Sequence, residues 1–314
     1  FSQFYFRDQG RTTTLTTNNT TTIILRLQQG LFAAGTGQQI NIATGGSVSF
    51  LAPGGNQSQA ASAGYINFVA AGTISPGTGM QLHNVRLNNS SPTGVNMGGG
   101  NTSITGTLDI ASNGYVTSGT APTYTSTPAS TLRYSCNCNY GAGEEWYQNT
   151  YGTSAGVPHH VTLASGTSLN FSANTFPREM RGDLTINSTS TFALSTASGG
   201  DLYIKGNWNN AGGFTNNNRL VKFNGTGGTQ VITVTGGGTE TFAYLAIEKS
   251  AGQSLQLAAA PNATNVTVNG ATGGNSFQMI SGDLDLNQRT FTFTSHFNGF
   301  QNNLGIDGSV GNLV

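Results

Sequence analysis

The sequence predicts an all-β protein, a parallel β-helix or β-solenoid with a loop excursion near residues 120–160. Three observations carry that prediction. A short motif recurs as Gly182-Asp183-Leu184-Thr185-Ile186, Gly200-Asp201-Leu202-Tyr203-Ile204 and Gly282-Asp283-Leu284-Asp285-Leu286, with an earlier variant, Gly106-Thr107-Leu108-Asp109-Ile110. Apolar and polar residues alternate with a period of two across most of the chain, the mark of a half-buried strand. Gly, Asn and Pro punctuate these runs, and no helix of convincing length is visible. Gly182 and Gly200 stand 18 residues apart. A strand this short buries no apolar face alone, but strands recurring at roughly 20-residue intervals bury it against one another.

Composition agrees. The 314 residues include 45 Gly but only 12 Lys+Arg and 12 Asp+Glu, a net charge of zero, and 36% are hydrophobic. Disorder normally accompanies high net charge and few β-branched or aromatic residues, so the recurring Ile, Val, Thr, Phe and Tyr favour β-structure. Without a basic patch the phosphate-neutralising attraction behind nucleic-acid binding is missing. No stretch reaches the roughly 18 apolar residues that a membrane-spanning helix needs. The chain opens at Phe1 with no signal peptide, and is expected to be a processed or truncated product of a longer precursor. A surface rich in Asn, Thr and Ser and poor in Lys fits an exported protein.

Residues 1–120 read as an N-terminal solenoid half. The aromatic cluster Phe1, Phe4, Tyr5 and Phe6 either caps an open solenoid end or makes a subunit contact, with capping preferred. Strands are expected at Ile23-Ile24-Leu25-Arg26-Leu27, Gln39 to Ile42, Ser47 to Leu51, Gly64 to Val69 and Gln81 to Leu87. Residues 52–63 lack alternation and read as a protruding loop. Residues 121–160 read as an aromatic-rich excursion or junction, and 161–314 as a second solenoid half, the whole being one continuous domain. In the second half, strands are expected at Val161-Thr162-Leu163, Ser168 to Phe171, Arg219 to Phe223, Gln230 to Val234, Thr241 to Ile247, Ser254 to Leu257, Val266 to Val268 and Thr290 to Phe293. Asn224-Gly225 is a strong turn pair. Stacked coils also account for the Asn and Thr content, since like side chains on successive rungs form hydrogen-bonded ladders.

Several stretches resemble the Thr/Asn/Gly-rich β-strand repeat region of the adhesin-like surface proteins that Bacteroidetes-type bacteria export by the type IX pathway. They are Ile104 to Ile110, Ala121-Pro122-Thr123-Tyr124, Ser130 to Tyr134, Gly143-Glu144-Glu145-Trp146, Val157 to Leu163, Gly182 to Ile186, Gly206-Asn207-Trp208, Val221 to Gly227 and Tyr244 to Ile247. The resemblance spans roughly residues 95–295. It implies a cell-surface or matrix protein with a β-solenoid body and brings no catalytic residues. The C-terminal sorting domain of such proteins has no counterpart here.

Chemistry-bearing residues are few. The adjacent carboxylates Glu144-Glu145 would point to opposite faces of a strand, so a solvated turn is favoured over acid/base catalysis. His159-His160 with Cys136 and Cys138 offers metal-ligand types at irregular spacing, so no metal is expected. A disulfide between Cys136 and Cys138 is not expected, because an extended chain places such close neighbours poorly. Tyr134, Tyr140, Trp146, Tyr147 and Tyr151 are either a sugar-stacking platform or the packed core of the excursion, and packing is favoured. Gly98-Gly99-Gly100 and Gly236-Gly237-Gly238 are turns, with no helix behind them to bind phosphate. Asp307-Gly308 has too few acidic neighbours for calcium. Asn-x-Ser/Thr triplets such as Asn56-Gln57-Ser58 arise from composition alone.

The expected function is an extracellular structural or adhesive surface protein, a solenoid rod, stalk or fibre-forming subunit. The alternative is a β-helix that binds or degrades polysaccharide. No enzyme activity and no cofactor is expected. Candidate partners are further copies of the chain, neighbouring segments of a longer precursor, and surface glycans.

Overall fold

A computed structural model describes residues 3–15, 20–50, 59, 61, 63–76, 80–147, 155–270, 275–294, 296–298, 306–307 and 312–313. Phe1, Tyr151 and nearly all of the loop expected at 52–63 lie outside the described residues. The chain is all-β and its ladders are parallel, coil upon coil; an isolated antiparallel bridge joins Ser126 to Ala129. It divides into two compact units, Phe1–Cys138 with Ala142–His159, and Asn139–Gly141 with His160–Val314.

In the first unit, Gln3–Leu15, Thr20–Ala34 and Gln39–Phe50 pair in succession. Tyr65–Phe68 and Gly72–Ser75 both dock on Gln39–Phe50, so the long strand bends to serve two neighbours. Met80–Leu87, Thr102–Ile110 and Thr131–Tyr134 follow, and place Ile40, Ile66, Val85, Leu108 and Leu132 in one fully buried file. Each such burial is worth about 1.5–3 kcal/mol. The register slips between Leu82 and Asn84. There the His83 and Asn84 N–H groups donate to Gln59 Oε1 at 3.1 and 3.0 Å, so the bulge strands no backbone donor. The ladder continues through Thr123–Tyr124 and Thr131–Tyr134, within the segment read as an excursion.

The second unit is a three-faced coil. The first face stacks His160–Leu163, Leu184–Ile186, Trp208–Asn210, Gln230–Val234, Ser254–Leu257, Asp283–Asp285 and Ile306–Asp307. The second stacks Asn139–Gly141, Ser168–Asn170, Thr191–Ala193 and Gly213–Thr215, then Gly238–Phe242, Thr264–Val268, Thr290–Phe293 and Asn312–Leu313. The third stacks Arg178–Met180, Leu202–Ile204, Leu220–Phe223, Tyr244–Glu248, Asn275–Ser281 and His296–Asn298.

This topology corrects two details of the sequence reading. The 18-residue spacing of the Gly-Asp-Leu motifs is not the coil period. Leu184 pairs with Trp208, 24 residues on, whereas Leu202 lies on a different face of Leu184's own coil. Thr241 to Ile247 is not one strand: it breaks at fully buried Ala243, where the chain turns from the second face to the third. The Asn224-Gly225 turn pair makes a corner between parallel coils.

The motif itself has a packing cause. A Cβ on Gly206 would lie 2.2 Å from the Gly182 carbonyl carbon, so this corner stacks glycine on glycine. The following residue reaches one coil onward. The Asn207 N–H donates to Asp183 Oδ1 at 2.7 Å, and the Val231 N–H donates to Asn207 Oδ1 at 2.8 Å. Asp201 Oδ1 accepts from the Leu220 N–H in the same way, at 3.0 Å. Other corners use the tolerance of Asn for left-handed backbone. Asn217 (φ 46°) and Asn287 (φ 45°) donate from Nδ2 to the Leu194 and Leu257 carbonyls of the preceding coil, at 2.7 and 3.0 Å.

Inside the second unit the aromatics form a continuous stack. Phe171 meets Phe192 at 5.1 Å between centroids, Phe214 meets Trp208 at 4.7 Å, and Trp208 meets Phe242 at 5.3 Å, all edge-to-face. In-register pairing places Phe192 over Phe214 one turn away, at 6.0 Å between centroids, and the other contacts join rings on neighbouring faces or registers; aromatic pairs add about 0.5–1.5 kcal/mol beyond area burial.

Candidate functional site

Three places concentrate ionisable or aromatic chemistry: the turn at Glu144–Trp146, the interior of the second unit, and that unit's outward faces.

Glu144–Trp146 is a 3-10 turn, closed by the Trp146 N–H donating to the Gly143 carbonyl at 3.2 Å. Glu145 is fully buried, which overturns the solvated turn expected for it. Its Oε1 accepts from the Tyr134 hydroxyl at 3.1 Å and from the Gly143 N–H at 2.8 Å. Its backbone carbonyl accepts from the Tyr124 hydroxyl at 2.8 Å. Burial, with the Glu145 carboxylate second, pushes the Tyr124 phenol well above its usual range. The turn bends the chain so that neighbouring carboxylates no longer alternate as on a strand; Glu145 goes inward while Glu144 stays half-buried.

The same burial answers the sugar-platform reading. Trp146 and Tyr134 are fully buried and Tyr140 nearly so. Their rings pack, and no flat face of these three is presented to a ligand. Tyr147 is half-buried, and its N–H donates to the Gly156 carbonyl at 3.0 Å. Of the N-terminal cluster, Tyr5 is 43% exposed, while the side chains of Phe4 and Phe6 lie outside the described residues with Phe1.

Cys136 and Cys138 form a disulfide, against expectation. Asn137 between them sits at φ 50°, in the left-handed region. That kink folds the two flanking residues onto one side and brings their Cα atoms to 5.2 Å, inside the disulfide range that an extended chain would exceed. His160 Nδ1 accepts from the Asp183 N–H at 2.9 Å, joining the same ladder of side-chain caps. Among the described residues no group of three His, Cys, Asp or Glu is placed to hold a metal ion.

Sequence reasoning missed several buried ionisable residues; besides Asp109, Arg178 and Glu179, two of them are Glu240 and Lys249. Glu240 accepts from Trp208 Nε1 at 2.7 Å and Asn210 Nδ2 at 2.8 Å, and from the Thr241 N–H at 3.2 Å. Burial raises its carboxyl above the ordinary value, against the pull of those three hydrogen bonds. Lys249 is 2% exposed and donates to Gln230 Oε1 at 2.8 Å and the Gly225 carbonyl at 3.0 Å. Burial lowers its amine to about 8. The period-two phase held the signal for both, since Glu240 shares its phase with Phe242, and Lys249 with Leu245 and Ile247.

The outward faces of the second unit differ in kind. The first carries acids, Asp183, Asp283 and Asp285, among Asn, Gln and Thr. The third pairs Lys205 with fully buried Glu179, and Lys222 with Glu248 at 2.8 Å, the Lys222 amine also lying 4.4 Å from the Tyr203 ring centroid. The second shows Ser, Thr, Asn, Ala and Gly at its described outward positions, and no charged or aromatic side chain. Compared with known proteins, the chain matches no family model, no curated protein and no solved structure.

Proposed function

We propose that the protein is an extracellular structural scaffold, a solenoid rod, stalk or fibre-forming segment of a cell-surface or matrix protein. The observation that carries this reading is the parallel stacking of coils in each unit. Polar side chains at its corners are spent on holding one coil to the next. Asp183, Asn207, Asp201, Asn217 and Asn287 each cap a backbone group of a neighbouring coil. Glu145 and Glu240 are both buried and held by indole, amide, phenol or backbone donors, which suits a carboxylate that organises packing more than one that meets substrate. The Cys136–Cys138 disulfide supports export to an oxidising compartment. The resemblance to adhesin-like repeat regions and the type IX route belong to the same proposal.

Small-angle scattering of the full chain, with protease shaving of intact source cells, tests it. The expected result is a scattering profile of an elongated particle and release of the protein from the cell exterior. A profile of a compact sphere, or protection from shaving until the cells are lysed, overturns it. A polysaccharide-binding role is the second reading, and burial of Trp146, Tyr134 and Tyr140 moves its weight from those rings to the outward faces.

A further inference from the structure

We propose that the second face of the C-terminal unit binds an ordered, uncharged lattice of water, the surface of ice. The inference rests on the outward chemistry of one sheet and stands apart from the scaffold reading.

Gly238–Phe242, Thr264–Val268 and Thr290–Phe293 pair in parallel with no register shift, unlike the third face, which slips at two of its pairings. Glu240, Phe242, Val266, Val268 and Phe291 point inward and are buried. The alternate positions form two outward files. Thr239, Asn265 and Thr290 stand in one, and Thr241, Thr267 and Thr292 in the other. Parallel strands repeat at about 4.7–4.9 Å, and residues two apart on one strand at about 6.6 Å, so the six side chains make a rectangular net of fixed dimensions. The Ser168–Asn170, Thr191–Ala193 and Gly213–Thr215 rungs extend the same side of the coil. The Asn216 amide on the last of these coils donates to the Thr241 carbonyl at 3.3 Å, and Phe214 lies 5.8 Å from Phe242, so the two sheets abut.

The hydroxyls of this net are available. Some threonine hydroxyls elsewhere turn back onto the scaffold, as those of Thr117, Thr123 and Thr125 do in donating to carbonyls of the preceding coil. Among the described residues, no hydrogen bond within the protein engages the hydroxyls of Thr239, Thr241, Thr267, Thr290 or Thr292. Thr239 is exposed and the other four are half-exposed.

Such a net selects its ligand by exclusion. Ions are not accommodated in ice, and a charged side chain orients water against the lattice; this face has none. A glycan-binding surface relies on flat aromatic rings, and none points outward here. A phosphate surface needs cations, also missing from it. What remains is hydroxyl and methyl groups on five threonines, β-branched side chains already restricted to few rotamers, with Asn265 between them held by the Thr290 N–H, which donates to its Oδ1 at 2.9 Å. Ordering water over it immobilises little that was free before. The methyls hold the first water layer off while the hydroxyls anchor it, and a repeated spacing lets the anchored layer merge with a crystal.

The test is to grow a single ice crystal in a solution of the full chain carrying a fluorescent label, and to measure freezing-point hysteresis and ice recrystallisation alongside. The expected result is label inside the ice, with halted recrystallisation. Thr267→Tyr, at the centre of the net, should abolish both while the circular-dichroism spectrum stays that of the parent. Gln278→Tyr, on the third face, should change neither. Exclusion of the parent protein from ice overturns the proposal, as does full activity in Thr267→Tyr. It is also overturned if the protein stays out of ice and instead sediments with crystalline cellulose or chitin, or self-associates in a manner that Thr267→Tyr abolishes.

Discussion

Glu240 and Lys249 show how an ionisable residue is retained inside a coil with so little charge. Each lies in phase with apolar neighbours and goes inward with them, and each then needs hydrogen bonds to offset lost hydration. Glu240 finds an indole, an amide and a backbone donor; Lys249 finds a carboxamide and a carbonyl. The two have opposite pH signatures. Burial raises the Glu240 carboxyl, so the folded state holds its proton more tightly than the unfolded chain. Its contribution to stability is therefore fully present below the unfolded value of about 4.3, and is lost as pH rises through the raised folded value. Glu240→Gln should remove this slope from denaturant midpoints measured across that window. Lys249 is lowered to about 8, so folding releases its proton. Its contribution is present above the unfolded value of about 10.4 and is lost as pH falls through the folded one. The stability of the parent relative to Lys249→Met should climb between those limits and flatten below them. A difference that does not change with pH would show the amine to be solvated.

At the scale of one strand and its corner, glycine and a short polar side chain act together. Gly206 has no room for a methyl group, since the Gly182 carbonyl carbon lies 2.2 Å from where a Cβ would sit. Gly227, by contrast, has open space around it and no left-handed backbone. Gly206→Ala should cost at least the 1–3 kcal/mol typical of overpacking, whereas Gly227→Ala should be neutral or stabilise by about 0.4–1 kcal/mol through the unfolded chain. Chemical denaturation of the two variants side by side checks the pair. Asn207→Ala keeps the strand but leaves the Val231 N–H without its side-chain acceptor. A loss of about 1–3 kcal/mol in the same titration is expected if that donor is thereby orphaned.

Within each unit, stability is a sum of coil terms and nearest-neighbour contacts, as in other solenoids. The second unit concentrates its aromatic packing around Trp208, which touches both Phe214 and Phe242 and donates to Glu240. Trp208→Ala removes the ring and one donor of a buried carboxylate together, and a cost of about 3–5 kcal/mol follows from the cavity alone. Hydrogen exchange should report the damage locally. Protection should fall most in the flanking rungs Leu184–Ile186 and Gln230–Val234 and recover with distance along the stack. A uniform fall over every rung would mean that the unit unfolds as a single cooperative body.

The period-two alternation of runs such as Leu184-Thr185-Ile186 and Val266-Thr267-Val268 was enough to determine the all-β class and the inward or outward sense of most side chains. A strand's two faces are set by local geometry, and a chain of short strands with Gly and Asn corners has few ways to hide its apolar side. Which strands share a face was not determined locally. Leu184 and Leu202 carry the same motif yet lie on different sheets, because the length of each corner decides where the next rung lands. The candidate chemistry divides in the same way. Glu240 was readable from its phase. The burial of Glu145 and the Cys136–Cys138 disulfide were not, because both hang on departures from the extended chain, a 3-10 turn at Glu144–Trp146 and a left-handed Asn137. The charge-free net of Thr239, Thr241, Thr267, Thr290 and Thr292 belongs to the tertiary structure alone, since only stacking in register turns scattered threonines into a surface.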